Sequence, residues 1–188
     1  MALEYVPTGS YDEFRNAVLG RGFDVDGVYG YQCWDLGATL WGNVGGYVYP
    51  YLSTGGTGYA YGIWAVPTAR VQNAGIKFDL IYNLSDVKRG DMIILNYGRF
   101  PGDVAGHNAF ADEDYNGTNI MWLVGQNQEN PNPTVGHITT RDQMNVSLFL
   151  GAFRYKAWET TPPIVASYKP QKKRFPWVLY ANKLRNKM

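Results

Sequence analysis

A chain of 188 residues, 45% hydrophobic and 18% charged, is long enough for one ordinary domain and too apolar to remain disordered. Its single cysteine excludes a disulfide framework, and no run of about 18 apolar residues is present to span a membrane. The net charge of +1 hides an asymmetry: residues 169–188 carry seven of the 17 Lys/Arg and none of the 16 acids, so the tail stands at +7 and the remainder at −6.

The opening Met1-Ala2-Leu3-Glu4-Tyr5-Val6-Pro7 has neither a basic nor an apolar leader segment, and no signal peptide is expected. Ser10-Tyr11-Asp12-Glu13 has the form of a capping box, and Phe14, Ala17 and Val18 follow at helical spacing, which predicts a helix of about ten residues closed by Gly20. A Gly- and Asp-rich loop covers 22–31, and a second helix is predicted from Gln32 or Cys33 to Trp41. Residues 42–62, rich in Gly and Tyr without a period, read as a long loop, and 64–74 as a short third helix with Pro67 in its first turn.

Strands are expected over 91–95, 107–111, 119–124 and 148–155, separated by Asp112-Glu113-Asp114-Tyr115-Asn116-Gly117 and Pro131-Asn132-Pro133, both strong turn chemistry. Helices first and an antiparallel sheet after define an α+β arrangement. There is no internal repeat.

A thiolate nucleophile needs a positive microenvironment, a base within reach and a group that orients the base. Cys33 falls at the predicted start of a helix, where the helix dipole favours the thiolate and its own backbone N–H can serve an oxyanion. Two histidines compete for the base: His107, opening a strand, and His137, in a loop-like stretch. The strand after His107 ends in Gly125-Gln126-Asn127-Gln128, so Asn127 can lie beside it, and the order Cys, His, Asn is papain-like. Lone cysteines and strand-borne histidines are more often structural.

Asp24, Asp26 and Asp35 occupy positions 1, 3 and 12 of a 12-residue loop, the spacing of EF-hand carboxylates, with Val28 and Gly30 able to add backbone carbonyls. Gly at position 4 instead of 6, and Asp instead of Glu at 12, depart from that pattern, and a solvated acidic turn fits the bare spacing too.

The segment from Asp24 through Gly27 to Gln32-Cys33-Trp34-Asp35 resembles the nucleophile region of the CHAP family, the cysteine, histidine-dependent amidohydrolases/peptidases of phage endolysins and related wall hydrolases. Gly106-His107, Gln126-Asn127 and Leu150-Gly151-Ala152-Phe153-Arg154 follow in the family's order, and the resemblance covers roughly residues 10–156. It implies a papain-like fold (NlpC/P60-type) with N-terminal helices packed on an antiparallel sheet, and a catalytic domain over 1–158. It further implies Cys33 as nucleophile, His107 as general base, Asn127 as orienting residue and Gln32 as an added oxyanion donor. Many relatives carry Glu where this chain has Gly125, so either Asn127 orients His107 alone or another carboxylate contributes, Asp112 being the nearest in sequence. Family members with the same acidic pattern bind calcium, which implies a structural Ca²⁺ held by Asp24, Asp26, Val28, Gly30 and Asp35.

The activity so implied is cleavage of an amide bond in Gram-positive peptidoglycan, as N-acetylmuramoyl-L-alanine amidase or peptide endopeptidase, by a monomer made in the host bacterial cytoplasm and acting on the wall after release. A non-catalytic wall-binding module on the same fold is the alternative. The aromatic stretch 47–64 either lines a substrate groove or packs on itself. Residues 159–188 are expected to form a linker and a basic, aromatic tail, with 169–188 suited to an anionic wall polymer or membrane surface; nucleic acid is not an expected partner.

Overall fold

The apolar run Met92–Leu95, fully buried, forms a central strand of a six-stranded sheet in the computed structural model of the chain, which describes residues 3–45, 52–128, 131–132 and 134–159. The aromatic run 47–51 and the basic tail lie outside the described residues. In chain order the elements are α1 (Tyr11–Val18), α2 (Cys33–Gly45), a 3₁₀ turn over Ala60–Ala65, α3 (Pro67–Asn73), β1 (Phe78–Ile81), a 3₁₀ turn over Leu84–Asp86, β2 (Met92–Leu95), β3 (His107–Ala111), β4 (Ile120–Gly125), β5 (Thr140–Asn145), β6 (Phe149–Tyr155) and α4 (Lys156–Glu159). The strand order is β1-β6-β2-β3-β4-β5 and every pairing is antiparallel. This is a mixed fold of helices and an antiparallel sheet.

Local chemistry explains the helix starts. The Ser10 hydroxyl accepts from the Glu13 N–H and caps α1, and Pro67 opens α3 at a position where no intrahelical N–H is needed. Helix α2 runs four residues past the Trp41 expected from sequence, into the stretch 42–62 read there as loop. It can do so because it is buried nearly all round, and that burial offsets the helix propensity lost at Gly42 and Gly45. The single helix expected over 64–74 is instead a 3₁₀ turn followed by α3.

Strands β1 and β5 were not among those expected from the sequence. These are the two edge strands; β1 has only four residues, and the polar Thr140–Asn145 alternates half-buried with exposed positions.

Both faces of the sheet are covered. One packs Met92, Ile94, Phe110 and Phe153 against Phe14, Leu36, Leu40 and Trp41; the other gathers Ile93, Leu95, Ala109, Leu123 and Ala152. Gly37 permits the close approach of α2, since a Cβ there would stand 2.8 Å from Asn108 Nδ2 and 3.1 Å from the Met92 sulfur. The Trp158 indole donates to the Thr8 carbonyl at 3.1 Å and its ring lies 5.4 Å from Tyr11, so α4 fastens onto the start of the chain.

Arg154 ties β6 to the residue that precedes β2. It donates from Nε and Nη2 to the two Asp91 oxygens, each at 2.8 Å, while Asp91 is 1% exposed. Removing the cation strands a buried carboxylate. Arg154→Leu should therefore cost about 3 kcal/mol in urea unfolding, whereas Arg21→Ala, which breaks an exposed pair with Glu4, should cost less than about 1 kcal/mol. Equal losses would contradict this assignment.

Candidate active site

The loop before α2 is held from both ends by one side chain. Gln126 Oε1 accepts from the Phe23 N–H at 2.7 Å, and its Nε2 donates to the carbonyls of Phe23 at 3.0 Å and Gln32 at 2.8 Å. Tyr31 pairs with the 135–137 segment through Tyr31 N–H to Val135 O and His137 N–H to Tyr31 O. Cys33, the next residue but one, is thereby placed at the first turn of α2, and Asn108 Nδ2 donates to its carbonyl at 2.9 Å.

The Cys33 residue is partly accessible, but its thiol sits among packed atoms. Burial pushes the thiol pKa up; the Asn108 N–H and the Arg99 cation pull the other way, and Asp35 adds to the rise.

His107 opens β3 opposite Leu95 and is 1% exposed. Residue 108 thus ties the corner together: its side chain and backbone reach Cys33, and its neighbour is the imidazole. Cys33 and His107 share no hydrogen bond in this conformation. Burial pushes the imidazole down to about 3, Arg99 acts in the same direction, and Gln128 and Asp103 oppose it. The Gln128 carboxamide lies beside the ring, yet neither His107 Nε2 nor Gln128 Oε1 closes a hydrogen bond of normal geometry. Arg99 is fixed by Asp103 at 2.9 Å and by the Gly106 carbonyl at 3.0 Å, on the turn that delivers His107. His137 is exposed and serves through its backbone.

Three expectations change. Asn127 does not turn to His107: it lies beyond β4 with a left-handed φ of 54°, and its Nδ2 donates to Gln32 Oε1 at 2.7 Å and to the Asn132 carbonyl at 3.0 Å. Gln32 is not a spare oxyanion donor, because its Nε2 is taken up by the carbonyls of Tyr29 and Asn132. Asp112 sits just past the far end of β3, where Arg15 at 2.7 Å, Arg141 and Arg89 neutralise it. The Gln-Asn-Gln run just past β4 is the sequence signal for this arrangement: three successive amides, all buried, each oblige a set of hydrogen-bond partners.

The carboxylates of Asp24, Asp26 and Asp35 converge, each offering an oxygen within 4.8 Å of the others. Asp35 is buried, and burial pushes it up to about 7, opposed by the Val25 N–H and increased by Asp26 and Asp24. Its two oxygens accept from Val25 N–H at 2.8 Å and Gln32 N–H at 3.0 Å. Three hard oxygen donors held against their own repulsion suit a calcium ion. The Gly30 carbonyl, expected as a further ligand, accepts the Gln32 N–H at 2.9 Å.

The aromatic stretch divides. Trp64 packs against Phe153 in the core, while Tyr59, Tyr61 and Tyr97 form a run of rings beside the turn before His107, with the Tyr61 N–H donating to the Ala105 carbonyl at 3.1 Å.

No family model matches the chain. Over 125 residues, 65% of its length, it is 31% identical to a D-alanyl-L-alanine endopeptidase of Streptococcus phage B30, of which it spans 26%. Its fold is similar to that of the endolysin LysIME-EF1, with a TM-score of 0.56 and 25% identity, covering 77% of this chain and 63% of the other. The chain thus spans about a quarter of the first relative and less than two thirds of the second.

Proposed function

We propose that the chain is a phage-type peptidoglycan hydrolase that uses Cys33 as nucleophile on a papain-like fold of the CHAP and NlpC/P60 kind, cleaving an amide bond as an N-acetylmuramoyl-L-alanine amidase or a peptide endopeptidase. The observation that carries this reading is the corner at residue 108, which joins the thiol at the start of a buried helix to the strand that begins with His107. The similarity to a phage endopeptidase and to an endolysin supports the substrate class.

In this reading His107 takes the thiol proton as sulfur attacks the amide carbonyl, and the Cys33 backbone N–H, at the first turn of α2, donates to the oxyanion. Imidazolium then protonates the leaving amine, and water, deprotonated by the same imidazole, releases the acyl group. Burial raises the thiol and lowers the imidazole, so the resting pair is neutral and the proton moves during attack. Catalytic hydrogen bonds that are open in a free enzyme commonly close only around substrate. Tyr59, Tyr61 and Tyr97 offer stacking surfaces for the glycan or peptide beside that turn.

A calcium ion at Asp24, Asp26 and Asp35 fits as a brace for the loop leading into Cys33, since two Asp35 hydrogen bonds already hold that loop. It supplies charge neutralisation and no chemistry on the substrate.

Cys33→Ala should abolish lysis of purified Gram-positive walls with little change in melting temperature. His107→Ala should be comparably inactive and His137→Ala close to the native protein. Full activity of Cys33→Ala would remove the thiol mechanism, and an inactive His137→Ala beside an active His107→Ala would name the other histidine. For the metal, chelation should lower the melting temperature and added Ca²⁺ restore it, a stabilisation of about 2.7 kcal/mol at a hundredfold excess over Kd. A melting curve indifferent to both, with no calcium by elemental analysis, would leave an acidic turn.

A further inference from the structure

We infer that Gln128 is the positioning residue for His107, holding the imidazole in the tautomer that leaves Nδ1 free to take a proton. The inference rests on the thiol mechanism proposed above for its catalytic meaning, and on the structure alone for the contact.

Three buried polar atoms at this site lack partners: Asn108 Oδ1, on the amide that donates to the Cys33 carbonyl, and a complementary pair, His107 Nε2 and Gln128 Oε1. His107 Nε2 can donate, Gln128 Oε1 can accept, both are sealed from solvent, and neither is hydrogen-bonded. Burying such groups unpaired is costly, which drives them to pair with each other when no water can enter. The carboxamide cannot simply flip. Its Nε2 is surrounded by acceptors, the carbonyls of Leu123 at 3.3 Å and Thr140 at 3.2 Å and Asp142 Oδ2 at 3.1 Å, so the amide oxygen is directed elsewhere.

Position 125 makes the space. A Cβ on Gly125 would stand 2.7 Å from Gln128 Oε1 and 2.9 Å from the Ala109 Cβ, so the glycine is what lets the Gln128 side chain fold back under the end of β4 toward β3. Other groups are committed elsewhere: Asn127 is held by Gln32 and Asn132, Asp112 by three arginines, and Asp103 by Arg99 and by the N–H groups of Ala105 and Gly106.

When the ring donates from Nε2 to Gln128 Oε1, the lone pair lies on Nδ1. A neutral amide orients the ring without adding the charge that would stabilise imidazolium strongly, so His107 stays a weak base. The groups around the ring are Arg99 and Asp103 from the preceding turn, and Gln128 with Asp142 behind it. With the imidazole held far below about 6.5, its base form persists as pH falls, and activity should decline only well on the acid side of that value.

The test combines nitrogen NMR of the histidine rings with pH-rate profiles on soluble muropeptide, for the native protein, Gln128→Glu and Gln128→Met, with Cys33→Ala in parallel. The native His107 ring should carry its proton on Nε2. Gln128→Glu is made together with Asp142→Asn, so that the oxygen replacing Nε2 meets an amide donor and not a carboxylate; it keeps an acceptor and sets a negative charge against the ring, so it should retain kcat within about threefold and move both the His107 titration and the acid limb upward by about one pH unit. Gln128→Met keeps the volume and loses the acceptor, so kcat should fall at least about tenfold with KM within about twofold. A proton on Nδ1, an unmoved titration in Gln128→Glu, or native kcat in Gln128→Met each overturns the assignment. If Gln128→Met does not fold, the native tautomer and Gln128→Glu decide. Full activity of Cys33→Ala would defeat the thiol mechanism and with it the catalytic meaning of Gln128, whereas an inactive Cys33→Ala beside a fully active Gln128→Met would defeat the positioning role alone.

Discussion

The Gln126 carboxamide, fully buried, accepts from one end of the loop over 23–32 and donates to both ends. Much of the site depends on that clamp. The loop leads directly into Cys33, β4 carries Gln126 just past its last residue, and β4 is hydrogen-bonded to β3, which begins with His107. One amide therefore sets where the helix start stands relative to the strand start. A buried amide left without partners would weigh against folding, and here its oxygen and nitrogen both find them. The positioning of the thiol is thereby coupled to the stability of the fold.

Around this clamp the electrostatics favour a neutral resting site. Burial acts in opposite directions on an acid and a base, raising Cys33 and lowering His107. Arg99 is the nearby cation acting on both groups, and Asp103 and the Gly106 carbonyl keep it in place. The three aspartates form a separate negative cluster, whose buried member, Asp35, ties the loop to the first turn of α2. Arg99 lowers the thiol pKa and Asp35 raises it.

The parts legible in the sequence were those whose pattern is local. The apolar run of β2, the cap at Ser10, the strand opened by His107 and the placement of Cys33 at a helix start all follow from adjacent residues. The edge strands were not legible, because β5 offers a single apolar side chain, Met144, among polar residues, and β1 has only four residues. Nor was the fate of Asn127. Its place at the expected end of the strand after His107 suggests a neighbour for that residue, but β4 ends at Gly125 and the left-handed backbone at 127 turns its side chain toward Gln32 and brings Gln128 to the ring instead. A conformation of that kind is fixed by the whole set of amide partners at 126, 127 and 132, and spacing along the chain does not reveal it.

A Cys33 nucleophile must bond covalently to the substrate during turnover. Mixing the native protein with muropeptide, quenching in acid while product still forms, and mapping the digest by mass spectrometry should reveal an acyl adduct on the peptide containing Cys33, and alkylating that thiol should stop turnover. Undiminished product formation by fully alkylated protein, with no adduct at Cys33, would exclude the thiol as nucleophile.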